Sequence, residues 1–161
     1  MIEIQYAKES HAPLLSHISK KAKRHWNYPE SYYEIWEDEL VITEKYIQIN
    51  KVFIAVYKSA IVGFYSLLEN NDDFYSGDVF VKRGYWLEHM FILPEFHNKG
   101  IGKKLIEHMM VYCRNNNIPN VLIFVDPFAK GFYEKVGAIF KYNSESSIPG
   151  RKIPVYEIEV E

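Results

Sequence analysis

The chain of 161 residues has little that would mark a secreted, membrane-spanning or nucleic-acid-binding protein. Its one cysteine, Cys113, cannot form an internal disulfide and is typical of a reducing compartment. No run approaches the roughly 20 apolar residues that span a bilayer. The formal net charge is −2, from 19 basic and 21 acidic residues, so phosphate backbones and anionic lipids exert no general attraction. We therefore expect no nucleic-acid partner and no membrane partner.

Segments that would divide the chain are also missing. There is no Gly/Ser-rich linker, tandem repeat or low-complexity stretch, and one domain usually takes about 100 to 200 residues. We therefore predict a single domain over residues 1–161. The first residues, MIEIQYAKES, lack a basic segment followed by a long apolar run. This argues against a secretory signal, and we expect a cytoplasmic protein.

Apolar periodicity predicts a mixed α/β domain. A hairpin turn is expected at Lys58-Ser59-Ala60, and a polar surface loop at residues 70–77. Strands are predicted at about 2–7, 52–57, 61–68, 85–93, 121–125, 138–142 and 154–160, and helices at about 10–24, 30–40, 43–49, 100–115 and 127–137.

The most informative stretch joins a strand that ends at Leu93-Pro94 to a helix, through His97-Asn-Lys-Gly-Ile-Gly102. The first helical turn has unpaired N–H groups and a partial positive charge. Glycines let a phosphate approach the backbone closely. The P-loop pattern GxxxxGK[ST] fails at His97 and Lys104, and the dinucleotide pattern GxGxxG fails at Leu105. The pattern indicates an anion site, with a bare tight turn as the alternative.

This stretch resembles the acetyl-CoA signature of the GNAT N-acetyltransferase superfamily, Q/R-x-x-G-x-G/A, with His97 in the Gln/Arg position. Residues 126–137, DPFAKGFYEKVG, resemble the second CoA motif, N-x-x-A-x-x-F/L-Y-x-x-x-G, with Asp126 in place of Asn. The resemblance covers essentially the whole chain. It implies an α/β GNAT fold, in which helices flank a mixed, mostly antiparallel central sheet of about six to seven strands with a splayed parallel pair.

The resemblance also implies acetyl-CoA as the acetyl donor. Pantetheine would bind the strand backbone, the pyrophosphate would bind amides of the glycine loop, and the second motif would flank CoA on the other side. The cofactor contacts implied are Met90, Phe91, Ile92, Leu93, His97, Asn98, Lys99, Gly100, Ile101, Gly102, Lys103, Asp126, Phe132 and Tyr133.

Acetyl transfer to an amine needs a base, because a lysine-like ammonium with a pKa of about 10.4 is neutral in only about one molecule in a thousand near pH 7. The resemblance favours Glu88 as this base, with a structural salt bridge as the alternative. His89 points to the opposite face of the strand and is interpreted as a core histidine. Tyr133 matches the family's tyrosine that often protonates the leaving thiolate, with a packed aromatic as the alternative. Transfer would be direct, without an acetyl-enzyme, and Cys113 is expected to be a core residue.

The acceptor is predicted to be a primary amine of a small molecule. In the family the connection between the first two helices often lines the acceptor site, which favours Trp26 and Tyr28 as substrate contacts beside Glu88. Their aromatic rings and the nearby acidic residues would suit a cation. A non-catalytic acyl-CoA sensor, or acetylation of a protein N-terminus or lysine, remains as an alternative. No metal is expected from the spacing of the six histidines, and aromatic residues near both ends suggest a homodimer.

Overall fold

The computed structural model describes residues 1–160, which form nine β-strands and five α-helices. The strands are β1 Ile2–Tyr6, β2 Lys51–Tyr57, β3 Ala60–Asn70, β4 Phe74–Ser76, β5 Val79–Val81, β6 Gly84–Ile92, β7 Asn120–Phe124, β8 Ile139–Glu145 and β9 Lys152–Glu159. The helices are α1 Ala12–Arg24, α2 Glu30–Trp36, α3 Glu44–Ile49, α4 Ile101–Asn115 and α5 Lys130–Lys135.

Seven strands form one sheet in the order β1-β2-β3-β6-β7-β9-β8. The pairs β1–β2, β2–β3, β7–β9 and β8–β9 are antiparallel, whereas β6 and β7 are parallel with Trp86 opposite Leu122. The predicted α/β fold, with a mixed and mostly antiparallel sheet containing one parallel pair, is confirmed.

The predicted hairpin between β2 and β3 is also confirmed. Its turn residues Lys58 and Ser59 both have left-handed backbone angles, with φ values of 49° and 67°. Two such residues match the twist of the flanking strands, as in type I′ turns.

The interpretation of residues 70–77 as a polar loop is wrong. This segment contains β4, which pairs with β5 in a separate two-stranded sheet. The turn includes Gly77 at φ +60°, and Tyr75 packs against Phe80 at 5.3 Å between ring centroids. The turn-rich composition concealed two strands of three residues each.

Three helices differ from their predicted bounds. The helix predicted at about 127–137 is divided into a 3₁₀ turn at Pro127–Ala129 and α5, which ends at Lys135. α1 begins at Ala12, after a short 3₁₀ turn at Glu9–His11, rather than directly after Ser10. Pro13 suits the first turn of α1, because an N–H at this position would have no acceptor within the helix. α2 ends at Trp36, and Leu40 closes the next turn with an N–H bond to the Trp36 carbonyl.

The chain comprises two compact units. One unit contains Met1–Leu67 and His89–His108, and the other contains Leu68–Glu88 and the residues from Met109 onward. In the first unit the core includes Leu15, Ile18, Val52, Ile54 and Phe64, supplied by α1, β2 and β3. In the second, Trp86, Leu122 and Val155 are buried together. No helix within residues 1–160 combines the length and apolar character needed to cross a membrane.

Candidate active site

The glycine loop lies between β6 and α4. A 3₁₀ turn at Pro94–Phe96 leads to Asn98 and Gly100, whose φ values of +63° and +77° are left-handed. A Cβ added at Gly100 would meet no heavy atom within 4 Å, so the space above this glycine is open. The backbone N–H of Lys104 donates to the Gly100 carbonyl at 3.1 Å, which is the first hydrogen bond of the helix. The preceding N–H groups, from Ile101 to Lys103, therefore have no acceptor within the helix.

This geometry suits a phosphate. Residues 98–100 are exposed, the helix N-terminus carries partial positive charge, and Lys99, Lys103 and Lys104 surround it with exposed ammonium groups. Lys104 also lies 3.9 Å from Glu107.

The His97 side chain packs against two aromatic rings of the connection between α1 and α2. Its ring lies edge-on to His25, with 5.0 Å between centroids, and stacks on Trp26 at 6.5 Å. His25 and Trp26 also contact each other, at 4.8 Å. The connection between α1 and α2 is thus in direct contact with the glycine loop, which the sequence did not predict.

The end of α1 already places cations over the aromatic rings of this region. The Lys23 ammonium lies 4.3 Å from the Trp36 ring centroid and 5.9 Å from that of Tyr28. The Arg24 guanidinium lies 4.3 Å from the centroid of Tyr33. These rings are therefore less available to a cationic substrate than their composition indicates.

Two acidic residues, one at each end of α2, are similarly paired. Glu30 bonds to Arg24 at 2.9 Å, which lowers the pKa of the carboxyl group and raises that of the guanidinium. Glu37 bonds to Lys20 at 2.9 Å. Both pairs are exposed, so they fix the local arrangement more than they stabilise the fold.

On β6, Glu88 is exposed, whereas His89 and the following residues Met90–Leu93 are half-buried. β3 approaches β6 very closely, because a Cβ at Gly63 would lie 2.8 Å from the Phe91 carbonyl oxygen. Leu93 donates its N–H to the Val62 carbonyl at 2.8 Å. A glycine at position 63 is therefore required for these two strands to approach here.

His89 belongs to a hydrogen-bond network that sequence reasoning missed. Its Nδ1 lies 2.9 Å from the Ser66 hydroxyl, and that hydroxyl accepts a bond of 2.9 Å from Tyr46. The available signal was a serine within the otherwise apolar segment 61–68, but its partners are 20 and 23 residues away.

The second motif is built in the other compact unit. Asp126 caps the 3₁₀ turn at Pro127–Ala129 by accepting from the Phe128 N–H at 3.0 Å. Tyr133 follows on α5 and is only 7% exposed, with Phe132 edge-on at 5.2 Å. Burial, and then the negative charge of Asp126, raise the pKa of Tyr133 above its ordinary value of 10. Tyr133 is therefore held in its protonated form.

The thiol of Cys113 is unsuited to covalent catalysis. Cys113 lies fully buried on α4, and burial raises the pKa of its thiol to about 11. Within residues 1–160, no group of three or more His, Cys, Asp or Glu side chains is arranged to hold a metal ion.

A comparison with known proteins identifies the family. The sequence model of the acetyltransferase (GNAT) family matches residues 20–138, which is most of the chain. The chain therefore belongs to the GNAT family and is an acetyl-CoA-dependent N-acetyltransferase. No curated protein sequence matches it.

Solved structures share the fold. The PaiA N-acetyltransferase of Thermoplasma acidophilum, in complex with coenzyme A, is 18% identical with a TM-score of 0.76, and the match covers 99% of each chain. A GNAT acetyltransferase of Brucella melitensis, in complex with acetyl-CoA, is 17% identical with a TM-score of 0.64, covering 100% of this chain and 89% of that one. The ribosomal-protein-S18-alanine N-acetyltransferase of Escherichia coli is 14% identical with a TM-score of 0.67, covering 99% and 94%.

Proposed function

We propose that the protein transfers the acetyl group of acetyl-CoA to a primary amine of a small molecule. The observation that carries this proposal is the exposed loop with left-handed Asn98 and Gly100, which leaves the first amides of α4 to a phosphate. The pyrophosphate binds the backbone of residues 97–103. The pantetheine arm binds the backbone of Met90–Leu93, and Asp126, Phe132 and Tyr133 contact CoA from the second motif.

From the resemblance to the family, Trp26, Tyr28 and Glu88 are assigned as acceptor contacts. Trp26 and Tyr28 are half-buried, so each retains some surface for a ligand. Because Lys23 and Arg24 already lie over Trp36 and Tyr33, the acceptor binds beside the aromatic cluster rather than within it. The exposed carboxylate of Glu88 attracts the ammonium group of the acceptor and takes a proton from it.

The neutral amine then attacks the thioester carbonyl directly. A C–N bond forms, the C–S bond breaks, and the sulfur leaves as a thiolate that must gain a proton. The Tyr133 hydroxyl gives sulfur a proton only as it receives the proton that the new amide nitrogen loses. A thiol has a pKa of about 8.5, which is lower than the raised pKa of Tyr133. Full proton transfer from Tyr133 to the thiolate is therefore unfavourable by itself. Tyr133 therefore acts first as a hydrogen-bond donor that stabilises the developing thiolate.

Direct transfer also agrees with the chemistry of Cys113. A thiol with a pKa of about 11 has almost no thiolate near neutral pH, and this one is buried. The chain has no other cysteine that could hold the acetyl group.

The experiment is a screen of amines with acetyl-CoA, in which free thiol release reports turnover and mass spectrometry identifies the acetylated product. The panel contains small primary amines, lysine peptides and peptides with a free N-terminus. The last of these tests the reaction named for the Escherichia coli neighbour. Preferred turnover of a small amine supports the proposal. If a peptide is turned over preferentially, the acceptor is a peptide amine rather than a small molecule. If CoA binds but no amine is turned over, the protein is a sensor.

Glu88 is tested by Glu88→Gln. We expect kcat to fall at least tenfold with acetyl-CoA binding unchanged, because general bases contribute roughly 10²–10⁴-fold. Glu95, which is exposed like Glu88 but lies on the 3₁₀ turn Pro94–Phe96 after β6, is the control as Glu95→Gln. Equal turnover by both variants would exclude Glu88 as the base.

A further inference from the structure

A buried tyrosine of β9 is bonded to the short helix that carries Tyr133. Tyr156 lies on β9, between β7 and β8, with Ile123 and Phe140 as its strand partners. Its side chain is only 1% exposed. The Tyr156 hydroxyl donates to Glu134 Oε2 on α5 at 2.8 Å. A side-chain hydrogen bond thus ties α5 to the sheet.

We propose that Tyr156 and Glu134 are positioning residues that set the orientation of the Tyr133 hydroxyl at the departing sulfur. The inference rests on the proposed function, in which Tyr133 donates to the developing thiolate. Tyr156 and Glu134 act through Tyr133 and not on the reacting atoms. Their hydrogen bond fixes the rotation of α5 about its own axis, and that rotation determines where the Tyr133 side chain points.

α5 needs such a support because it is short. It has six residues, Lys130–Lys135, and helices shorter than about 12–15 residues are marginal without tertiary contacts. Tyr133 and Glu134 are neighbours in the chain, so their side chains leave the helix about 100° apart. A bond that holds Glu134 towards β9 therefore also fixes the direction of Tyr133. A rotation of about 10° moves a tyrosine hydroxyl by more than about 1 Å, and such a misplacement can cost about 100-fold in rate.

The Tyr156 hydroxyl remains a hydrogen-bond donor near neutral pH. Burial, followed by the hydrogen bond to Glu134 and its charge, raises the pKa of Tyr156 to about 12. The phenol therefore keeps its hydrogen. The backbone supports the same arrangement, because Ala138, directly before β8, donates its N–H to the Tyr133 carbonyl at 3.0 Å. Tyr133 is thus held by its own backbone as well as through Glu134.

Tyr65 supplies a matched control in the other compact unit. It is also fully buried, and its hydroxyl lies 2.8 Å from His108 Nδ1. Tyr65 lies on β3, in the unit that does not contain α5. Tyr65→Phe and Tyr156→Phe each remove one hydroxyl from a buried phenol that has a hydrogen-bond partner. We expect both variants to lower Tm, and only Tyr156→Phe to lower kcat.

The test compares kcat and the acetyl-CoA Kd of the wild type and the variants, with one amine throughout. Tyr156→Phe and Glu134→Ala are expected to lower kcat roughly tenfold, because each frees the orientation of Tyr133. The Kd should not change, because the pyrophosphate site lies on the glycine loop. Glu134→Gln keeps an oxygen that accepts from the phenol, so it should retain most of the wild-type kcat.

A double variant separates positioning from general support of the fold. If Tyr156 acts through Tyr133, the variant Tyr133→Phe/Tyr156→Phe has the same kcat as Tyr133→Phe alone, because the hydroxyl to be positioned is already missing. Independent contributions of the two tyrosines would instead multiply the two losses.

A second measurement does not depend on turnover. Carbon-13 NMR of ring-labelled tyrosine, assigned with Tyr133→Phe, reports the surroundings of the Tyr133 ring. Tyr156→Phe is expected to shift the Tyr133 signal, and Tyr65→Phe is not.

The inference is overturned if Tyr133→Phe loses kcat while Tyr156→Phe retains it, or if the two losses multiply in the double variant. It is also overturned if Tyr156→Phe leaves the Tyr133 signal unchanged. Failure of the proposed function looks different, because then the wild type itself releases no CoA with any amine. Full turnover by Tyr133→Phe would remove proton donation by Tyr133, and the inference with it.

Discussion

Replacing Gly100 with alanine separates backbone strain from loss of the phosphate site. Gly100 has φ +77°, where an L-residue costs roughly 1–2 kcal/mol more than glycine. A Cβ there meets no protein atom within 4 Å, so the protein itself imposes no clash. In a domain of this size each kcal/mol lowers Tm by about 2–4 °C, which predicts a Tm decrease of about 2–8 °C for Gly100→Ala.

Gly77 provides the matched control. It has φ +60° in the turn between β4 and β5, and a Cβ there also meets no atom within 4 Å. Gly77→Ala should therefore lower Tm by a similar amount. The two variants should differ in acetyl-CoA binding, because the new methyl group at position 100 occupies space that a phosphate needs. We expect Kd to rise at least tenfold for Gly100→Ala, which is about 1.4 kcal/mol, with no change for Gly77→Ala.

The assay is calorimetric titration of acetyl-CoA into each variant, with the folded state checked by circular dichroism. Equal Kd values for the two alanine variants would refute the assignment of the glycine loop as the phosphate site. If Gly100→Ala lowers Tm but does not change the Kd for acetyl-CoA, Gly100 serves the turn and not phosphate binding.

Three further predictions concern Tyr133, the connection between α1 and α2, and His108. Tyr133→Phe should lower kcat by roughly 10²-fold while acetyl-CoA binding is unchanged, and full turnover of the variant would remove Tyr133 from the chemistry. Trp26→Ala should raise KM for both substrates because Trp26 stacks on His97 of the glycine loop. Tyr28→Ala should raise only the acceptor KM. If Trp26→Ala leaves the KM for acetyl-CoA unchanged, the stacking of Trp26 on His97 does not support cofactor binding. Burial lowers the pKa of His108, so the folded state disfavours its charged form, and unfolding free energy should fall as pH decreases below about 6.5. Urea unfolding of the wild type and His108→Gln checks this, and identical pH slopes would contradict it.

The fold was largely predictable because its elements are long and strongly patterned. The segment 51–57, for example, is rich in β-branched and aromatic residues, and α4 follows a clear helical signal. The β4–β5 hairpin was not predictable, since each strand has three residues and its stability depends on contacts such as Tyr75 with Phe80. Short strands contain too few residues to show a period of two.

The candidate site was predictable where local backbone geometry defines it. Gly100 adopts the left-handed conformation that only glycine adopts without strain, so a sequence motif can record it. Contacts between distant segments were not predictable. Ser66 meets Tyr46 and His89 across three elements, and His97 meets Trp26 from another element. Such contacts depend on tertiary packing, which local periodicity does not contain.

The central claim is that this chain binds acetyl-CoA through its glycine loop and uses it as the acetyl donor. Thermal unfolding with acetyl-CoA, and with ATP and NAD as controls, tests it most directly. At about 100 times Kd, a ligand of the folded state adds roughly 2.7 kcal/mol. At about 2–4 °C per kcal/mol, Tm should rise by about 5–11 °C with acetyl-CoA and by much less with ATP or NAD. An absent shift, or an equal shift with ATP, would contradict the account.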